Sequence, residues 1–195
     1  MRPTWDEYFL ELAYLAATRA TCSRKHVGAV IVTPERRVVA TGYNGAPANM
    51  PSCDEVDHEM VDGHCVRSLH AESNAIDFAG RFAQGCTLYA TVTPCYDCAK
   101  RIVNAGIYRV VYDEHYESRY NKSSTVQEFL RSGGIEVVQL EIPGVRLFKE
   151  KLAEVQAARL EMARNTLVEY QCGCKATGDK APLRCATHNA ARAHD

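Results

Sequence analysis

Two short segments of this 195-residue chain restrict its fold and chemistry more than any other feature. The first is His70-Ala71-Glu72 and the second is Pro94-Cys95-Tyr96-Asp97-Cys98. One imidazole and two thiolates make three zinc ligands, and three protein ligands leave one tetrahedral position open, as in catalytic rather than structural zinc sites. If each segment begins a helix, the two helix starts can share one metal. Helix N-termini also favour anionic thiolates.

The same segments indicate hydrolytic chemistry. A water at the open zinc position has its pKa lowered towards neutral pH and becomes a nucleophile. Glu72 need not bind the metal, so its carboxylate can take a proton from that water and return it to the substrate. The order His-x-Glu and then Pro-Cys-x-x-Cys is typical of zinc-dependent base deaminases. A closed structural zinc site and a redox pair are the alternatives, because each can contain Cys-x-x-Cys.

The composition fits a compact domain with an appendage. The chain is 46% hydrophobic, which is enough for a sizeable core, and its formal net charge of -1 gives no overall nucleic-acid or membrane signature. The polar start of the chain lacks the apolar run of a secretory signal, so we expect a cytoplasmic protein, in the host cytoplasm if it is phage-encoded. In that compartment, the nine cysteines favour metal binding over disulfides.

Hydrophobic periodicity predicts alternating helices and strands. Helices are predicted at 5–20, 71–80, 95–105, 124–132 and 145–170, the first with Tyr8, Leu12, Leu15 and Ala16 on one side. Strands are predicted at 27–33, 38–43, 87–92, 108–112 and 135–140. Residues 44–69, rich in Gly, Pro, Asn and Asp, are predicted to form a long functional loop. The alternation predicts an α/β fold around a largely parallel sheet that begins with an antiparallel hairpin.

Two further segments accompany the zinc motif, Gly42-Tyr43-Asn44-Gly45 and Glu72-Ser73-Asn74-Ala75-Ile76. With them, the chain from about Trp5 to Leu140 resembles the deoxycytidylate (dCMP) deaminases of bacteria and phages, within the cytidine deaminase-like superfamily. The resemblance implies a three-layer α/β/α fold with a five-stranded mixed sheet, followed by a long C-terminal helix and a Cys/His tail. The expected division is a deaminase domain at 1–144, the helix at 145–170 and the tail at 171–195.

The resemblance also implies roles for individual residues. His70, Cys95 and Cys98 would bind the catalytic zinc, and Glu72 would be the proton shuttle. Substrate contacts are expected at Asn44, Ala71, Asn74 and Tyr116. Candidates for a phosphate or effector contact are Arg24, Lys25 and Arg81. The alternatives are a turn residue for Asn44, an exposed helix residue for Asn74, and ordinary surface charges for the three cations.

For the whole protein, the resemblance implies hydrolysis of dCMP to dUMP and ammonia, which feeds thymidylate synthesis. It also implies a homohexamer that is activated by dCTP and inhibited by dTTP, each with Mg²⁺. Three alternatives stay open: a 5-substituted dCMP as substrate, deamination of another base or nucleotide, and a zinc-binding nucleotide-sensing or nucleic-acid-binding module without turnover. Glu72 argues against the last, because a structural zinc site needs no carboxylate there.

The remaining cysteines suggest further metal. By resemblance, Cys22, Cys53, His64 and Cys65 would hold a second, structural zinc, with His58 as an alternative to His64. Cys86 is expected in the core. The tail supplies a further candidate set, Cys172, Cys174, Cys185 and His188, spaced as in small zinc ribbons. The alternatives for the tail are a disordered segment and an oligomer-bracing element. Its cations lack interleaved aromatic residues, so nucleic-acid binding is poorly supported.

Overall fold

Helices and strands alternate along most of the chain. The structure is a computed structural model that describes residues 2–117, 122–141, 143–165, 167–169 and 175–177. The helices are α1 (Trp5–Ala17), α2 (Cys53–Val56), α3 (Ala71–Ala79), α4 (Tyr96–Asn104), α5 (Ser123–Ser132) and α6 (Pro143–Asn165). The strands are β1 (Gly28–Val32), β2 (Val38–Tyr43), β3 (Met60–Val61), β4 (His64–Cys65), β5 (Thr87–Val92), β6 (Arg109–Glu114), β7 (Glu136–Gln139), β8 (Leu167–Glu169) and β9 (Lys175–Thr177).

One five-stranded sheet organises the chain, with strand order β2-β1-β5-β6-β7. Strand β1 pairs antiparallel with both β2 and β5, whereas β5, β6 and β7 are parallel. The apolar sequence of β1 is buried at all five positions, as expected of a strand covered on both faces. The predicted mixed sheet, with a parallel half that follows an antiparallel hairpin, is confirmed.

Two layers of helices cover the sheet, because successive side chains of a strand point to opposite faces. Val30 and Val32 face a core that contains Phe9 and Leu10 of α1 together with Val145 at the start of α6. The opposite face, with Ala29 and Ile31, packs against α3, α4 and α5 through Ala71, Ala75, Ile102, Val126 and Leu130. This three-layer arrangement places the N-termini of α3 and α4 side by side.

A polar network joins α1 to the sheet. Asp6 accepts hydrogen bonds from two guanidinium nitrogens of Arg109, at 2.8 and 2.9 Å, and a third from the hydroxyl of Tyr89 at 2.7 Å. Arg109 also contacts Glu136 on β7 at 3.2 Å. These hydrogen bonds lower the pKa of Asp6, with the bond from Arg109 as the largest cause. The network therefore holds α1 in register with three strands.

The structure differs from the sequence predictions in three elements. Helix α1 buries Phe9, Leu10, Ala13 and Ala17, whereas Tyr8 and Leu15 on the predicted side are 43% and 47% exposed. The predicted loop 44–69 contains α2 and the β3–β4 hairpin. The predicted helix 145–170 is too long, because α6 ends at Asn165 and Leu167–Glu169 is a strand.

The chain divides into two compact units. The first, Met1–Lys149, contains the five-stranded sheet and the start of α6, so it extends slightly beyond the predicted boundary at residue 144. The second, Glu150–Asp195, contains the rest of α6 and the antiparallel pair β8–β9. Within the described residues, every helix is too short or too polar to cross a membrane.

Candidate active site and metal centres

His70, Cys95 and Cys98 come together where α3 and α4 begin. His70 is the residue that precedes α3, Cys95 precedes α4, and Cys98 lies in the first turn of α4. The Nδ1 atom of His70 is 3.3 Å from the Cys95 sulfur and 3.4 Å from the Cys98 sulfur. A tetrahedral zinc with ordinary bond lengths separates a nitrogen and a sulfur ligand by about 3.6 Å. The three side chains therefore fit a zinc ion.

Of the three residues, only Cys95 has its pKa shifted towards the form that binds a metal, because the pKa values of His70 and Cys98 are both raised. The neighbouring Cys98 thiol and then His70 donate hydrogen bonds that lower the pKa of Cys95 to about 4. The hydrogen bond to Cys95 in turn raises the pKa of His70 to about 9, against the effect of burial. In the metal-free chain the two form an imidazolium–thiolate pair. Metal binding would thus displace the proton of His70, because an imidazole ligand is neutral.

Glu72 lies beside these ligands on the first turn of α3. Its side chain is only 3% exposed, and burial is the main cause that raises the pKa of its carboxyl. A raised pKa means that the carboxyl holds a proton more readily than an exposed glutamate does, which suits a group that both accepts and donates protons. Glu72 is not a member of the ligand cluster itself. Its position therefore suits proton transfer next to the metal.

The position of α3 depends on a glycine of the Gly-Tyr-Asn-Gly segment. A Cβ atom on Gly42 of β2 would lie 2.1 Å from the carbonyl oxygen of Ala71 and 2.6 Å from the nitrogen of Ala75. Only glycine allows this close contact between the strand and the helix. The side chain of Asn74 adds a second link, donating to the carbonyl of Tyr43 at 2.8 Å. These contacts fix the helix that carries Glu72 against the edge strand.

A cavity of about 220 Å³ opens onto the cluster. Its walls combine the metal-binding and acid–base groups with polar, cationic and aromatic side chains, namely Cys22, Arg24, Lys25, Asn44, His64, Cys65, Ser68, His70, Glu72, Thr93, Cys95 and Tyr116, together with the apolar Val27, Ala71 and Val92. Polar groups that converge on one cavity are typical of a small-molecule site.

Three of the predicted substrate-contact residues line this cavity. Ala71 is fully buried at its wall. Asn44 lines it while its side chain bridges two backbone groups, donating to the Lys25 carbonyl at 2.9 Å and accepting from the Val27 N–H at 2.7 Å. The carbonyl of Tyr116 accepts a hydrogen bond from the Ser123 hydroxyl at 2.9 Å. Asn74, the fourth, is not among the lining residues, because its amide is turned towards Tyr43.

Two of the three cationic candidates line the cavity, and the third does not. Lys25 lines the cavity, where its ammonium lies 5.7 Å from the ring centre of Tyr116 and 3.5 Å from a carboxylate oxygen of Glu114. Arg24 also lines the cavity and donates to the carbonyl of Gly63 at 2.8 Å. Arg81 lies outside the lining, with its guanidinium 5.1 Å from the ring centre of Phe82.

A second cluster of metal-binding side chains lies in the segment before α3. Its members are Cys22, Cys53, His58 and Cys65, whose ligand atoms all lie within 4.8 Å of one another. The His58 Nδ1 atom is 3.8 Å from the Cys22 sulfur and 3.9 Å from the Cys65 sulfur. Three thiols and one imidazole form a complete tetrahedral donor set for zinc. Cys22 and Cys65 also line the cavity, so this cluster forms part of its wall.

The structure places His58, the alternative to His64, in this cluster. His58 joins the three cysteines, whereas His64 lines the cavity. His64 and Cys65 are neighbours on strand β4, and consecutive side chains of a strand point to opposite faces, so the two cannot readily bind one ion. The predicted tail set, Cys172, Cys174, Cys185 and His188, lies outside the described residues.

Sequence reasoning missed several residues of the cavity. Ser68 and Thr93 were not predicted, although each stands within two residues of a predicted metal ligand. Adjacency to the motif was the available signal. Val27 and Val92 carry no comparable signal, because an apolar residue at a strand end looks like any other core residue.

Residues 3–114, more than half of the chain, match the family described as the cytidine and deoxycytidylate deaminase zinc-binding region. The chain belongs to this deaminase family. The match includes His70, Glu72, Cys95 and Cys98, and it confirms the resemblance inferred from the motifs.

Individual members of the deaminase family agree with this assignment. The deoxycytidylate deaminase of Saccharomyces cerevisiae is 43% identical over 149 residues, which cover 71% of this chain but 46% of the yeast protein. The chain thus spans about half the length of that relative. The deoxycytidylate deaminase of Mycobacterium phage D29 is 45% identical over 124 residues, which cover 57% of this chain and 95% of the phage protein.

A solved structure supports the fold of the deaminase domain. It is the dCMP deaminase from the cyanophage S-TIM5 in complex with dCMP and dUMP, which superposes with a TM-score of 0.61 at 30% sequence identity. The similarity covers 72% of this chain and 99% of the cyanophage chain. The expected cytidine deaminase-like fold, with its five-stranded mixed sheet, is therefore confirmed.

Proposed function

We propose that this protein is a zinc-dependent dCMP deaminase, which hydrolyses dCMP to dUMP and ammonia. The observation that carries the proposal is the position of Glu72, a buried carboxyl with a raised pKa, next to a three-ligand metal cluster at the wall of a small-molecule cavity. The substrate is suggested by the named relatives and by the cyanophage complex with dCMP and dUMP.

The proposed mechanism assigns the proton transfers to Glu72. Zinc held by His70, Cys95 and Cys98 would supply an acidified water as the nucleophile. Glu72 would take one proton from this water and pass it to the ring nitrogen next to the amino-bearing carbon. It would then take the second proton, from the hydroxyl now on that carbon, and deliver it to the departing amino group. The water oxygen replaces the amino nitrogen, so that ammonia leaves and the uracil ring is formed. Burial of Glu72 keeps bulk water away from these transfers.

We propose that Lys25 and Arg24 bind the 5′-phosphate of the nucleotide. Both side chains line the cavity that contains Glu72, and both carry the charge that a monophosphate requires. Lys25 lies over Tyr116, whose ring offers a stacking surface for the base or sugar. His64 and Ser68 line the same cavity and add hydrogen-bonding groups. Asn44, pinned by its two backbone contacts, offers a fixed polar edge to the sugar.

We further propose that Cys22, Cys53, His58 and Cys65 hold a structural zinc. Their donor set is complete without a water, which is typical of structural rather than catalytic sites. The ion would tie the segment after α1 to α2 and to the β3–β4 hairpin. Because Cys22 and Cys65 also line the cavity, the ion would stabilise the wall that carries Arg24 and Lys25.

The supply of dUMP for thymidylate synthesis, assembly into a homohexamer, and regulation by dCTP and dTTP with Mg²⁺ are proposals that rest on family resemblance alone. Titration of each triphosphate, with and without Mg²⁺, at subsaturating dCMP tests the regulation. Sedimentation of the zinc-loaded protein tests the assembly. If the rate responds to neither triphosphate, the proposed regulation is wrong, and if the protein is a monomer at working concentration, the proposed assembly is wrong. Neither result contradicts the deaminase proposal.

The central test is a substrate panel for the zinc-loaded protein. We expect ready deamination of dCMP and weak deamination of CMP and of deoxycytidine, which lacks the phosphate. The panel includes 5-methyl-dCMP, which differs from dCMP at one ring position. If this compound is turned over in preference to dCMP, the substrate is a 5-substituted dCMP. If every cytosine compound stays unreacted while zinc is bound, the proposed reaction is wrong.

A further inference from the structure

A buried hydroxyl lies next to one of the two thiolates of the active-site cluster. Ser73 follows Glu72 on α3, is 7% exposed, and has its Oγ atom 3.6 Å from the sulfur of Cys98. The other buried residues of α3 are Glu72 and the apolar Ala71, Ala75, Ile76 and Ala79. A buried hydroxyl without a hydrogen-bond partner destabilises a protein, so the contact of Ser73 with sulfur supplies a partner that this position needs.

The two cysteine sulfurs of the cluster have different hydrogen-bond partners. Cys95 stands at the start of α4, and the backbone N–H of Cys98 donates to its sulfur. Cys98 lies further along the helix, where its sulfur is buried and contacts Ser73. As a metal ligand Cys98 carries no proton, so in that state the hydroxyl must be the donor.

We propose that Ser73 is a positioning residue for the active-site metal, whose hydroxyl donates a hydrogen bond to the thiolate of Cys98. The inference rests on the proposed zinc site. It extends that site beyond the metal ligands to Ser73, to which the sequence motifs assign no role. Hydrogen bonds to a ligand fix its orientation and tune its charge, and loss of such a partner typically lowers metal affinity by roughly 10–100-fold. The bond would also reduce repulsion between the thiolate and the carboxylate of Glu72.

This arrangement gives the first turn of α3 two distinct tasks. Glu72 transfers protons, and the next residue, Ser73, holds the second thiolate of the metal. Helical geometry points consecutive side chains about 100° apart, so one turn can reach both the cavity and the sulfur. The contact of α3 with Gly42 fixes both groups at once.

The experiment compares Ser73→Ala with the wild-type protein by competition for zinc against a chelator. We expect the zinc affinity of the active site to fall by roughly 10–100-fold. Cys98→Ser identifies which step of the titration belongs to this site, because it removes a ligand. Ser132→Ala, which removes an exposed hydroxyl that donates to a backbone carbonyl, is the matched control and should leave the affinity unchanged.

Two further readouts separate positioning from general stability. The sulfur-to-metal charge-transfer absorption of the Co²⁺-loaded protein should shift in Ser73→Ala, and the metal-free variant should unfold at the same temperature as the metal-free wild type. Wild-type zinc affinity in the variant, or an unchanged Co²⁺ spectrum, would overturn the inference while leaving the deaminase proposal in place. If the wild type binds no zinc through Cys98, the metal site itself is wrong and both proposals fail.

Discussion

At the residue scale, Glu72 combines burial with a charge that the interior disfavours. The side chain is 3% exposed and burial raises the pKa of its carboxyl. Ionisation of such a group destabilises the folded state, so Glu72 is retained at a cost in stability. Groups of this kind are concentrated at functional sites.

Replacement of Glu72 by glutamine tests its role as the proton shuttle. Gln has the same shape but cannot exchange a proton, so we expect dCMP turnover to fall by at least about 10²–10⁴-fold. Zinc content should be unchanged, because Glu72 is not a ligand. The variant should unfold at the same or a higher temperature, since a disfavoured charge is removed. Glu128→Gln, an exposed carboxylate on α5, is the control. An active Glu72→Gln enzyme would contradict the mechanism.

Lys25→Met tests the proposed phosphate contact. The change removes the charge but keeps most of the length of the side chain, so we expect KM for dCMP to rise by about tenfold, consistent with one charge-assisted hydrogen bond. Deoxycytidine lacks the phosphate, and its kcat/KM should not change. Lys151→Met, on the exposed part of α6, is the matched control. An equal loss for both substrates would mean that Lys25 shapes the cavity rather than binds the phosphate.

The site residues divide into those that sequence could predict and those that it could not. His70, Glu72, Cys95 and Cys98 are fixed by local spacing at two helix starts, which is a short-range property. The choice of His58 over His64 depends on which face of a two-residue strand each side chain occupies. That geometry appears only after the hairpin has formed, so residue spacing could not decide it.

At the element scale, the contact between β2 and α3 places Glu72 and the start of α3. Gly42 allows the strand to approach the helix at a distance that no side chain permits, and Gly28 of β1 does the same for α1, where a Cβ would lie 1.9 Å from the carbonyl oxygen of Ala13. Both obstacles are backbone atoms, which cannot move aside as a flexible side chain would. The two glycines therefore form a matched pair, one next to the active site and one on the other side of the sheet.

Gly42→Ala and Gly28→Ala should both destabilise the fold, by roughly 1–3 kcal/mol or more, because each forces a helix away from the sheet. Only Gly42→Ala should also lower dCMP turnover at temperatures where the protein stays folded. A displacement of about 1 Å of the helix that carries Glu72 would reduce the rate by about 10²-fold. Thermal unfolding and kcat are measured for both variants. Equal turnover in the two would show that the Gly42 contact does not position the catalytic groups.

The network around Asp6 gives a second, pH-dependent prediction. Hydrogen bonds led by that from Arg109 hold the pKa of Asp6 below its ordinary value of 3.8. A carboxylate with a lowered pKa stabilises the fold above its unfolded-state pKa, and this contribution is lost as the pH falls through the folded-state pKa. Asp6→Asn should therefore destabilise the protein by about 1–2 kcal/mol at pH 7, after allowance for partial exposure of the pair.

Urea unfolding at a series of pH values measures this effect. The difference between wild type and Asp6→Asn should shrink below about pH 4 and disappear at lower pH, when Asp6 is protonated in both folded and unfolded chains. Glu128→Gln should show no comparable pH-dependent difference. A difference that persists unchanged in acid would assign the effect to packing instead of charge.

Helices and strands were predicted correctly from the sequence where the local pattern of residues was strong. The apolar run of β1 and the helix starts at His70 and Cys95 have clear local signals. The buried face of α1 was harder to predict, because aromatic residues occur on two sides of the helix, and packing against the sheet selects Phe9 over Tyr8. The end of α6 was placed too late, because Leu167 and Glu169 are good helix formers, whereas the segment Leu167–Glu169 is a strand that pairs with β9.

At the scale of the whole molecule, one cavity brings together both clusters of metal-binding side chains. The active-site cluster contributes His70 and Cys95 to the lining, and the second cluster contributes Cys22 and Cys65. The segment between β2 and α3 has little regular structure to fix it, with a four-residue helix and two strands of two residues each. A metal that joins this segment to Cys22, in the segment after α1, would therefore both stabilise the fold and shape the cavity.

Removal of one ligand of the second cluster tests this coupling. In Cys53→Ser we expect the zinc content to fall by one ion per chain relative to wild type, because a hydroxyl is a poor substitute for a thiolate. Cys53 does not line the cavity, so any effect on dCMP must act through the metal and the segment that it holds. A loss of ~3 kcal/mol would lower Tm by roughly 10 °C in a chain of this size. KM for dCMP should rise more than kcat falls, since Glu72 and the three residues of the first cluster are untouched.

Cys86→Ser is the control: it changes a buried cysteine outside both clusters and should retain the wild-type zinc content. Unchanged zinc content in Cys53→Ser would remove the second metal, and loss of zinc without a change in KM would separate that metal from the cavity.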